Sequence, residues 1–509
     1  MSVKKEFGDF QTPPALAERV TNLVSRLYGK PDLVVEPTAG LGNFLSAAAE
    51  HWDAGGTRFI GYEVNKSYYD SAKKNLKPFG IEIFHRDFFT EDWKANLSQT
   101  GQSRVLVLGN PPWVTNSGLG QLGSNNLPDK SNFQGMRGLD ALTGKSNFDI
   151  AEWMLIRLIE ALPAEGAIAV LCKTATARKV LRHIWKTGQG LAGSKLFHID
   201  AKAEFDVAVD ACFFYATAQP SSELSAEVYN SLDLEFGSKR FGFVDGQLVS
   251  NIEAYRKHVQ LDGGSSHYLW RSGVKHDASK VMEFDRIGEM LQNGYGETVD
   301  LEKDYLYPLL KSSDIGNGRM KIRKSVLVTQ RRTSDQTNEI RYLAPKTWAY
   351  LQQHAQALDA RKSSIYRKRP RFCVFGIGDY SFAPWKIAIS GLYKKFVFSV
   401  VPPVDDKPVM VDDTCYTIPC KSEEEAELLH GLLSSEVATE FLRSLVFIDS
   451  KRPITIDVLR RISFVELARE LGKMKELEAC ICARSKDEVS ETQMALLMES
   501  EDTYGPKKR

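Results

Sequence analysis

Residues 34–44 read VVEPTAGLGNF, and this stretch decides the fold. An apolar run ends at Glu36, a turn with Gly40 and Gly42 follows, and a helical pattern begins near Asn43. Glycines in a strand-to-helix turn permit a tight bend and close approach of the backbone to a ligand. The turn lacks the third glycine of the dinucleotide fingerprint and the Gly-Lys-Ser/Thr of a P-loop. It therefore predicts a β-strand, a ligand-binding turn and an α-helix of an open α/β sheet.

Short apolar runs alternate with helical patterns over the first 220 residues, which is typical of a parallel α/β sheet. The predicted strands number seven and lie at residues 33–36, 58–62, 81–84, 105–108, 167–171, 196–199 and 212–216. The clearest predicted helices are 150–162 and 176–184. Residues 217–225, TAQPSSELS, are interpreted as a linker. We therefore predict an α/β domain over residues 1–220.

The rest of the chain is predicted to form an α+β domain over residues 221–499. Its predicted strands and helix lie at residues 325–330, 372–375, 395–401 and 423–433. Residues 500–509 are charged and are expected to be a frayed tail. The stretch 114–147 is rich in Gly, Ser and Asn without periodicity, which predicts a functional or disordered loop.

Acidic residues follow three successive predicted strands, at Glu36, Glu63 and Asp87. The carboxyl ends of parallel strands meet at one edge of a sheet, where open α/β sheets bind ligands. A carboxylate at Glu63 can accept both hydroxyls of a ribose, and one at Asp87 can accept an adenine amino group, with Phe88 against the ring. Together the three acids predict a nucleoside site.

Residues 105–114 read VLVLGNPPWV, an apolar strand that runs into Asn110, Pro111, Pro112 and Trp113. The two prolines stiffen the turn and remove two N–H donors. The side-chain oxygen of Asn110 and the carbonyl of Pro111 remain as acceptors, and Trp113 offers a flat stacking face. Two fixed acceptors suit the two hydrogens of a planar NH2 group such as adenine N6.

Taken together, these motifs resemble the S-adenosylmethionine-dependent DNA N6-adenine methyltransferases of bacterial restriction–modification systems. The resemblance covers about residues 7–216 and includes FQTPP at residues 10–14, the stretch 36–44 and the tetrapeptide 110–113. Trp113 stands where tyrosine is commoner, and Lys173 stands in LCKTAT where proline is more usual. The resemblance implies a Rossmann-like methyltransferase domain followed by a target-recognition domain.

The resemblance also implies a set of site residues, with S-adenosylmethionine as the cofactor and no metal. The implied cofactor-binding residues are Thr12, Glu36, Pro37, Thr38, Ala39, Gly40, Gly42, Glu63, Asp87 and Phe88. The implied catalytic residues are Asn110, Pro111, Pro112, Trp113 and Phe205. Phe205 is the position expected for a second aromatic that stacks on the target base, although it fits a core phenylalanine nearly as well.

The net charge of +1 conceals a basic segment at residues 311–400, with 18 Lys+Arg against 5 Asp+Glu. Its balance of +13 leaves −12 for the remaining residues and indicates a polyanion or an acidic neighbour. Together with the resemblance, it predicts binding to double-stranded DNA. The alternative is a solvated face compensated by the acidic C-terminal part, around residues 423–427. The predicted DNA-binding residues are Arg331, Arg332, Arg361, Arg367, Lys368, Arg369, Arg371, Tyr380, Lys394 and Lys395.

The composition indicates the class of protein and its cellular compartment. The sequence is 43% hydrophobic and 26% charged, has no run of 18 apolar residues, and has no apolar segment after its first lysines. These features predict a globular protein without a membrane span or secretory signal. Seven cysteines without a CxxC pair favour the cytoplasm. The protein is expected to be a monomer, with a separate cognate restriction endonuclease as a candidate partner.

Two other functions are compatible with the sequence. Enzymes that methylate protein glutamine or ribosomal RNA use the same Asn-Pro-Pro-aromatic motif, although they usually lack a C-terminal half of this size. A catalytically silent DNA-specificity module is the second alternative, and the intact tetrapeptide at 110–113 argues against it.

Overall fold

The computed structural model describes residues 10–52, 56–98, 103–114, 149–188, 190–235, 238–288, 290–449 and 452–484. The chain divides into two compact units, Met1–Glu253 and Ala254–Arg509. The predicted loop at 114–147, apart from Val114, and the predicted tail at 500–509 lie outside the described residues. Within the described ranges, no helix has the length and apolar character needed to cross a membrane.

A ten-stranded sheet forms the centre of the first unit, in the order β12-β11-β10-β7-β8-β5-β4-β1-β2-β3. The strands β1 to β5 are mutually parallel where they pair, whereas β8 runs antiparallel to both β5 and β7. The remaining two strands, β6 and β9, pair separately. The strands are β1 Leu33–Glu36, β2 Arg58–Glu63, β3 Glu82–His85, β4 Val105–Gly109, β5 Ala167–Lys173, β6 Gly190–Leu191, β7 Lys195–Ile199, β8 Ala211–Thr217, β9 Pro220–Ser221, β10 Ser225–Tyr229, β11 Lys239–Val244 and β12 Gln247–Val249.

Helices connect these strands. They are α1 Pro14–Tyr28, α2 Asn43–Trp52, α3 Lys66–Leu76, α4 Trp93–Leu97, α5 Ile150–Ala161, α6 Thr174–Trp185 and α7 Ala201–Phe205, with 3-10 turns at Lys77–Phe79 and Phe88–Thr90. Side chains fix the starts of several helices. Pro14 opens α1 at a position where a missing N–H costs nothing, and the Asn65 carboxamide accepts the Ser67 N–H at the start of α3. The apolar faces of α1 and α2 pack in one core cluster with residues of β1 and β4, such as Leu16, Phe44 and Leu106.

Each of the seven predicted strands coincides with a strand of the large sheet, within one or two residues at the ends. The predicted count is too low, because β10 adds to β7 in parallel and β11 and β12 follow as antiparallel strands. The interpretation of residues 217–225 as a linker is wrong, since they contain β9 and the start of β10. The first unit therefore continues to Glu253, beyond the predicted boundary at residue 220. The added strands are short and half-exposed, so their apolar pattern is weak.

Two sheets organise the second unit. One has six strands in the order β16-β15-β14-β18-β17-β21, and the other has four in the order β13-β22-β19-β20. The strands are β13 Arg271–Ser272, β14 Glu283–Ile287, β15 Met290–Asn293, β16 Thr298–Val299, β17 Leu306–Leu310, β18 Lys324–Leu327, β19 Trp385–Ser390, β20 Phe398–Val401, β21 Met410–Val411 and β22 Cys415–Cys420.

The helices of this unit are mostly short. They are α8 Ile252–Lys257, which spans the boundary, α9 Ser279–Met282, α10 Ser312–Gly316, α11 Ile340–Leu343, α12 Pro345–Gln353, α13 Ala355–Asp359, α14 Glu423–Leu433, α15 Glu436–Leu445, α16 Ile456–Leu459 and α17 Phe464–Glu470. Further 3-10 turns lie at Val259–Leu261, Lys303–Tyr305, Ser364–Tyr366 and Asp379–Phe382. The predicted helix at 423–433 is confirmed by α14.

The strand predictions for the second unit are less accurate. The predicted strands at 325–330 and 395–401 are shortened to β18 and β20. The predicted strand at 372–375 is wrong. Phe372 has a φ of 66°, which a strand residue cannot adopt, and Phe375 forms only an isolated bridge with Lys275.

Candidate functional site

A cleft opens in the first unit where β1, β2 and β4 end. Its empty volume is about 960 Å³, a figure that includes space open to solvent. Most predicted site residues line it, namely Thr12, Glu36, Pro37, Thr38, Ala39, Gly40, Glu63, Asp87, Phe88, Asn110 and Pro112. The parallel strand order explains this convergence. β1, β2, β3 and β4 run in the same direction, so the residues that end or follow them lie on one edge of the sheet, and the N-terminal segment adds Thr12.

The glycine turn after β1 is shaped by its two glycines. Gly40 has a φ of 54°, and a Cβ added there would lie 2.4 Å from the Oε1 of Gln11. The same Oε1 accepts the Leu41 N–H at 2.9 Å, so the N-terminal segment lies directly on the turn. Gly42, with a φ of 83°, packs against Leu76 and is not among the residues that line the cleft. Gly42 therefore shapes the turn from behind.

Glu63 ends β2 and is only 7% exposed. Its Oε2 accepts the Gly40 N–H at 2.8 Å, and its Oε1 accepts the Asn65 N–H at 2.7 Å. The carboxylate therefore ties the end of β2 to the glycine turn while it lines the cleft. This holds its oxygens in fixed positions before any ligand binds.

Glu36 ends β1 and is 3% exposed. Its Oε2 is buried and has no hydrogen-bond partner among the described residues. Burial raises the pKa of Glu36 well above its usual value, the nearby Glu63 raises it further, and a hydrogen bond from the Leu45 backbone opposes both effects. A buried carboxyl group with an unused oxygen in a cleft is suited to receive a cation or a hydrogen-bond donor.

Asp87 and Phe88 form another wall of the cleft, after β3. The Asp87 carboxylate accepts the Phe89 N–H at 3.0 Å, which opens the 3-10 turn. Phe88 is buried against Trp93, with 4.7 Å between the ring centroids, and the Trp93 indole N–H donates to the Phe88 carbonyl at 2.9 Å. The wall therefore pairs a fixed carboxylate with an aromatic ring.

Asn110 follows β4 at the edge of the cleft. Its Nδ2 donates to the Phe10 carbonyl at 2.8 Å and lies 3.3 Å from the Thr12 Oγ1. A carbonyl can only accept, so this contact fixes which end of the carboxamide is nitrogen. The Oδ1 is buried and has no hydrogen-bond partner in the described part of the chain. Asn110 therefore holds an unused acceptor in a fixed direction.

The two aromatic residues predicted to stack on a base lie beside this acceptor. Trp113 is 6% exposed, and its ring centroid lies 5.3 Å from that of Phe205 with the planes at 70°. Phe10 completes the cluster at 5.5 Å from Trp113 and 6.2 Å from Phe205. A base between two parallel rings would need about 7 Å, twice a van der Waals contact. The rings therefore contact each other here, and neither Trp113 nor Phe205 lines the cleft.

Four of the predicted DNA-binding residues in the second unit already have partners inside the protein. Arg332 pairs with Asp379 at 2.9 Å, and Arg371 pairs with Asp359 at 2.6 Å. Arg361 donates to the carbonyls of Leu358, Cys373 and His276 at 2.7, 2.7 and 3.2 Å and stacks on Tyr366. Arg331 stacks on Phe382, with 4.2 Å between guanidinium and ring centroid. Sequence alone could not separate these structural contacts from ligand contacts.

Arg331, Arg332 and Arg371 are nevertheless exposed. The other five cations of the predicted set are also exposed but have no ion pair within the described residues, namely Arg367, Lys368, Arg369, Lys394 and Lys395. The first three follow the 3-10 turn Ser364–Tyr366, and Lys368 has a left-handed φ of 61°. Tyr380, the aromatic residue of the predicted set, is half-buried and lies under the Arg271 guanidinium. The alternative prediction was that acidic residues around 423–427 balance the charge of the basic segment. Of these, Glu425 pairs instead with Arg484 at 2.5 Å.

Several residues of the cleft were not singled out as site residues from the sequence. Asn43 donates to the Thr12 carbonyl at 2.8 Å and so fixes the N-terminal segment across the cleft. Asn65, Tyr68 and Arg86 also line it. Of these residues, Asn65 could have been predicted to line the cleft, because it lies two residues after Glu63 and at the start of a helix. In the described ranges, no group of three or more His, Cys, Asp or Glu side chains is arranged to hold a metal ion.

The site offers what S-adenosylmethionine requires of its surroundings. Acidic oxygens at Glu36, Glu63 and Asp87 suit a cationic nucleoside with hydroxyl and amino groups, and Phe88 suits a purine ring. The unused buried oxygen of Glu36 is the specific observation, because a group of that kind is stabilised when a donor or cation reaches it. The residues present therefore fit the cofactor.

Comparison with curated proteins identifies the class of enzyme. No protein-family model matches the chain. The chain is 43% identical over 474 residues to the type II methyltransferase M.NspV of Nostoc sp., covering 92% of this chain and 98% of that protein.

Solved structures show weaker likenesses. The methyltransferase subunit of a type I restriction–modification system from Streptococcus thermophilus is 17% identical over 43% of this chain and 46% of that chain, with a TM-score of 0.33. A protein from Listeria monocytogenes, described as a class I S-adenosylmethionine-dependent methyltransferase, is 16% identical over 46% of this chain and 68% of that chain, with a TM-score of 0.32. TM-scores of this size carry no weight here, whereas the identity and coverage of the Nostoc protein do. The chain therefore belongs to the type II methyltransferases of restriction–modification systems, and its cofactor is S-adenosylmethionine.

Proposed function

We propose that the protein methylates N6 of an adenine that is flipped out of double-stranded DNA. The observation that carries the proposal is the carboxamide of Asn110. Its nitrogen is engaged with Phe10 and Thr12, while its oxygen is buried without a partner at the end of β4. A buried acceptor left unsatisfied costs free energy, roughly 1–3 kcal/mol, and this cost is recovered when a donor such as an exocyclic amine arrives.

The turn 110–113 makes the target amine nucleophilic in this proposal. The Oδ1 of Asn110 and the carbonyl of Pro111 accept its two hydrogens, and this draws the nitrogen toward a tetrahedral geometry with its lone pair exposed. No side chain has to remove a proton before the attack. The bound cofactor supplies an electrophilic methyl group. Trp113 and Phe205 provide aromatic faces for the base once they separate from each other.

The cleft residues hold the cofactor in this proposal. Glu63 accepts from the ribose hydroxyls, and Asp87 accepts from the adenine amino group beside Phe88. Glu36 faces the positively charged part of the molecule. The remaining proposed contacts are Thr12, Pro37, Thr38, Ala39 and Gly40, with Gly42 supporting the turn.

The second unit binds the duplex in this proposal. An enzyme that modifies a paired base must extract it from the stack and must also recognise a sequence. The exposed cations Arg367, Lys368, Arg369, Lys394 and Lys395 would neutralise phosphates. A separate cognate restriction endonuclease as partner, and a monomeric state, belong to the same proposal.

Methyl transfer to defined polymers tests this function. The protein is incubated with tritiated S-adenosylmethionine and, separately, with duplex DNA, RNA and protein, and the labelled DNA is digested to nucleosides. We expect label in DNA, as N6-methyladenine, and its loss in the Asn110→Ala variant. Label in RNA or protein alone would contradict the proposed substrate, and label in DNA on a base other than adenine would contradict the proposed target atom.

A further inference from the structure

A lysine at the end of β5 contacts Trp113, the last residue of the turn 110–113. The Nζ of Lys173 donates to the backbone carbonyl of Trp113 at 2.9 Å and to the Asp149 carboxylate at 2.7 Å. The Asp149 side chain is 7% exposed and that of Lys173 is 25% exposed, so the ion pair is largely removed from water. Contacts of this kind are stronger and more sharply directed than those at a surface.

The sheet explains why Lys173 can reach the turn. β4 and β5 are parallel neighbours, with Gly109 opposite Val170, so their carboxyl ends lie side by side. Lys173 is the last residue of β5, and the turn follows the last residue of β4. The prolines at 111 and 112 have no N–H, so the turn has few ways of its own to attach to its surroundings. A proline at residue 173 could not supply either bond.

The carboxylate of Asp149 is itself held in place at the start of α5. Its Oδ1 accepts the Ala151 N–H at 3.1 Å at the start of α5, and its Oδ2 receives Lys173. The next residue, Ile150, donates its N–H to the Val114 carbonyl at 2.9 Å. Lys173 thus connects three segments, namely the end of β5, the start of α5 and the residues that follow Pro112. Asn110 is held by the N-terminal segment at one end of the turn, and Trp113 is held by Lys173 at the other.

We propose that Lys173 is a positioning residue for methyl transfer, because its ammonium group fixes the Trp113 carbonyl and thereby the direction of the Asn110 and Pro111 acceptors. Lys173 does not touch the target amine in this proposal. Its effect is on the rate of the chemical step and not on the affinity for either substrate. The proposal rests on the proposed function of the turn.

A second ion pair nearby, between α5 and α6, provides a matched control. Lys179 on α6 pairs with the buried carboxylate of Glu152 on α5 at 3.3 Å. Lys173→Met and Lys179→Met each leave a buried carboxylate without its lysine, so both variants should lose stability. Only Lys173→Met also releases the Trp113 carbonyl. The difference between the two variants therefore isolates the contact with the turn.

The test measures single-turnover methyl transfer on duplex DNA, the affinities for S-adenosylmethionine and DNA, and the melting temperature. We expect Lys173→Met to slow transfer about 100-fold, the size typical of a small misplacement of reacting groups, with both affinities within threefold of wild type. Lys179→Met should melt earlier but transfer within threefold of wild type. Lys173→Arg, which keeps a charged donor, should recover part of the rate.

Three outcomes would overturn the positioning role. These are transfer by Lys173→Met within threefold of wild type, equal slowing by Lys173→Met and Lys179→Met, and a slower rate explained wholly by weaker binding. If Lys173→Met does not fold, Asp149→Asn decides, because it keeps the cap on α5 and removes the charge that orients Lys173; an unchanged rate would then refute the proposal. A wild-type protein that transfers no methyl group to adenine in DNA refutes the proposed function instead.

Discussion

The cleft of the first unit and the basic segment of the second differ in how their polar side chains are used. In the cleft, Glu36 is buried and Asn110 is half-buried, and each keeps one buried oxygen without a partner among the described residues. In the basic segment, Arg332, Arg361 and Arg371 are bound to carboxylates or carbonyls of the same unit. A buried polar atom without a partner indicates a ligand. Surface cations indicate a ligand only if they are not already paired with groups of the protein itself.

The largest test of this contrast is Asn110→Ala. We expect methyl transfer to fall by at least ~100–1000-fold, because the substitution removes an acceptor that acts on the amine in the transition state. Cofactor affinity should fall far less than the rate, because Asn110 supports the cleft only through the bonds of its nitrogen to Phe10 and Thr12. Single-turnover kinetics and calorimetry measure the two quantities.

Asn43→Ala is the control for Asn110→Ala. It removes the bond to the Thr12 carbonyl, and so loosens the same N-terminal segment, but keeps the Asn110 oxygen. Its rate should fall less than about tenfold. A similar loss in both variants would mean that the segment, and not the acceptor, determines the rate.

Substitution of Glu63 by alanine tests whether the buried carboxylates of the cleft serve the cofactor. Two charge-assisted bonds to ribose hydroxyls would be worth roughly 1.5–3 kcal/mol, or about 10–100-fold in cofactor affinity. Glu63→Gln removes the charge but keeps one oxygen, so it can preserve only one of the two bonds that Glu63 accepts from Gly40 and Asn65; the melting temperature of each variant shows how much the turn itself is weakened. Calorimetric affinities equal to wild type in both variants would exclude Glu63 from the cofactor site.

The basic segment is tested by replacing Arg367, Lys368 and Arg369 with glutamine. If all three contact phosphates, the slope of log affinity against log salt should fall by up to about 2.7, at about 0.9 for each phosphate. Over a fourfold change in salt this corresponds to about 40-fold in affinity. Fluorescence anisotropy at several salt concentrations measures the slope, and a thermal melt checks the fold.

The control for this triple variant is the pair Arg332→Gln and Arg371→Gln. Both residues are exposed but already engaged with carboxylates, so their loss should change the melting temperature little and leave the salt slope closer to wild type than the triple variant does. If the control flattens the slope as much as the triple variant does, internal pairing does not distinguish the cations that bind DNA.

The smallest expected effect concerns pH. Burial raises the pKa of Glu36 in the folded protein, so its contribution to stability is present below the unfolded value of about 4.3 and is lost as pH rises through the raised folded value. Glu36→Gln removes this titration, so in the absence of cofactor the melting temperature of wild type should fall relative to the variant as pH rises. If the difference in melting temperature between wild type and Glu36→Gln stays constant over the whole pH range, Glu36 does not have the raised pKa that its burial requires.

The contrast between the units also explains what could be predicted from the sequence. Glu36, Glu63, Asp87 and Asn110 each follow a strand, and parallel topology brings strand ends to one edge whatever the details of packing. The contacts of Asn110 with Phe10 and Thr12 join residues about 100 positions apart and depend on packing. The sequence therefore predicted the position of the acceptor, and the structure was needed to find that it is unused.

Other errors have the same origin. Arg361 and Arg367 are the same residue type six positions apart, yet one is bound to three carbonyls and the other is exposed. Strands β10 to β12 lack a continuous apolar pattern because they are half-exposed, so the sheet extends further than predicted. The contact between Trp113 and Phe205 could not be predicted, since a spacing of 92 positions carries no information about two side chains.

The N-terminal segment at residues 10–12 contacts both the cleft and the carboxamide of Asn110. Phe10 and Thr12 line the cleft and also hold the nitrogen of Asn110. In the proposed function, a displacement of this segment when the cofactor fills the cleft would also shift the Asn110 acceptor, and the arrival of a base would act on the segment in the same way. Since binding free energies are reciprocal, a cofactor that tightens DNA binding by some factor must itself be tightened by DNA by the same factor. Residues 10–12 are thus a place where the affinities of two ligands of very different size can be set together by one change of sequence.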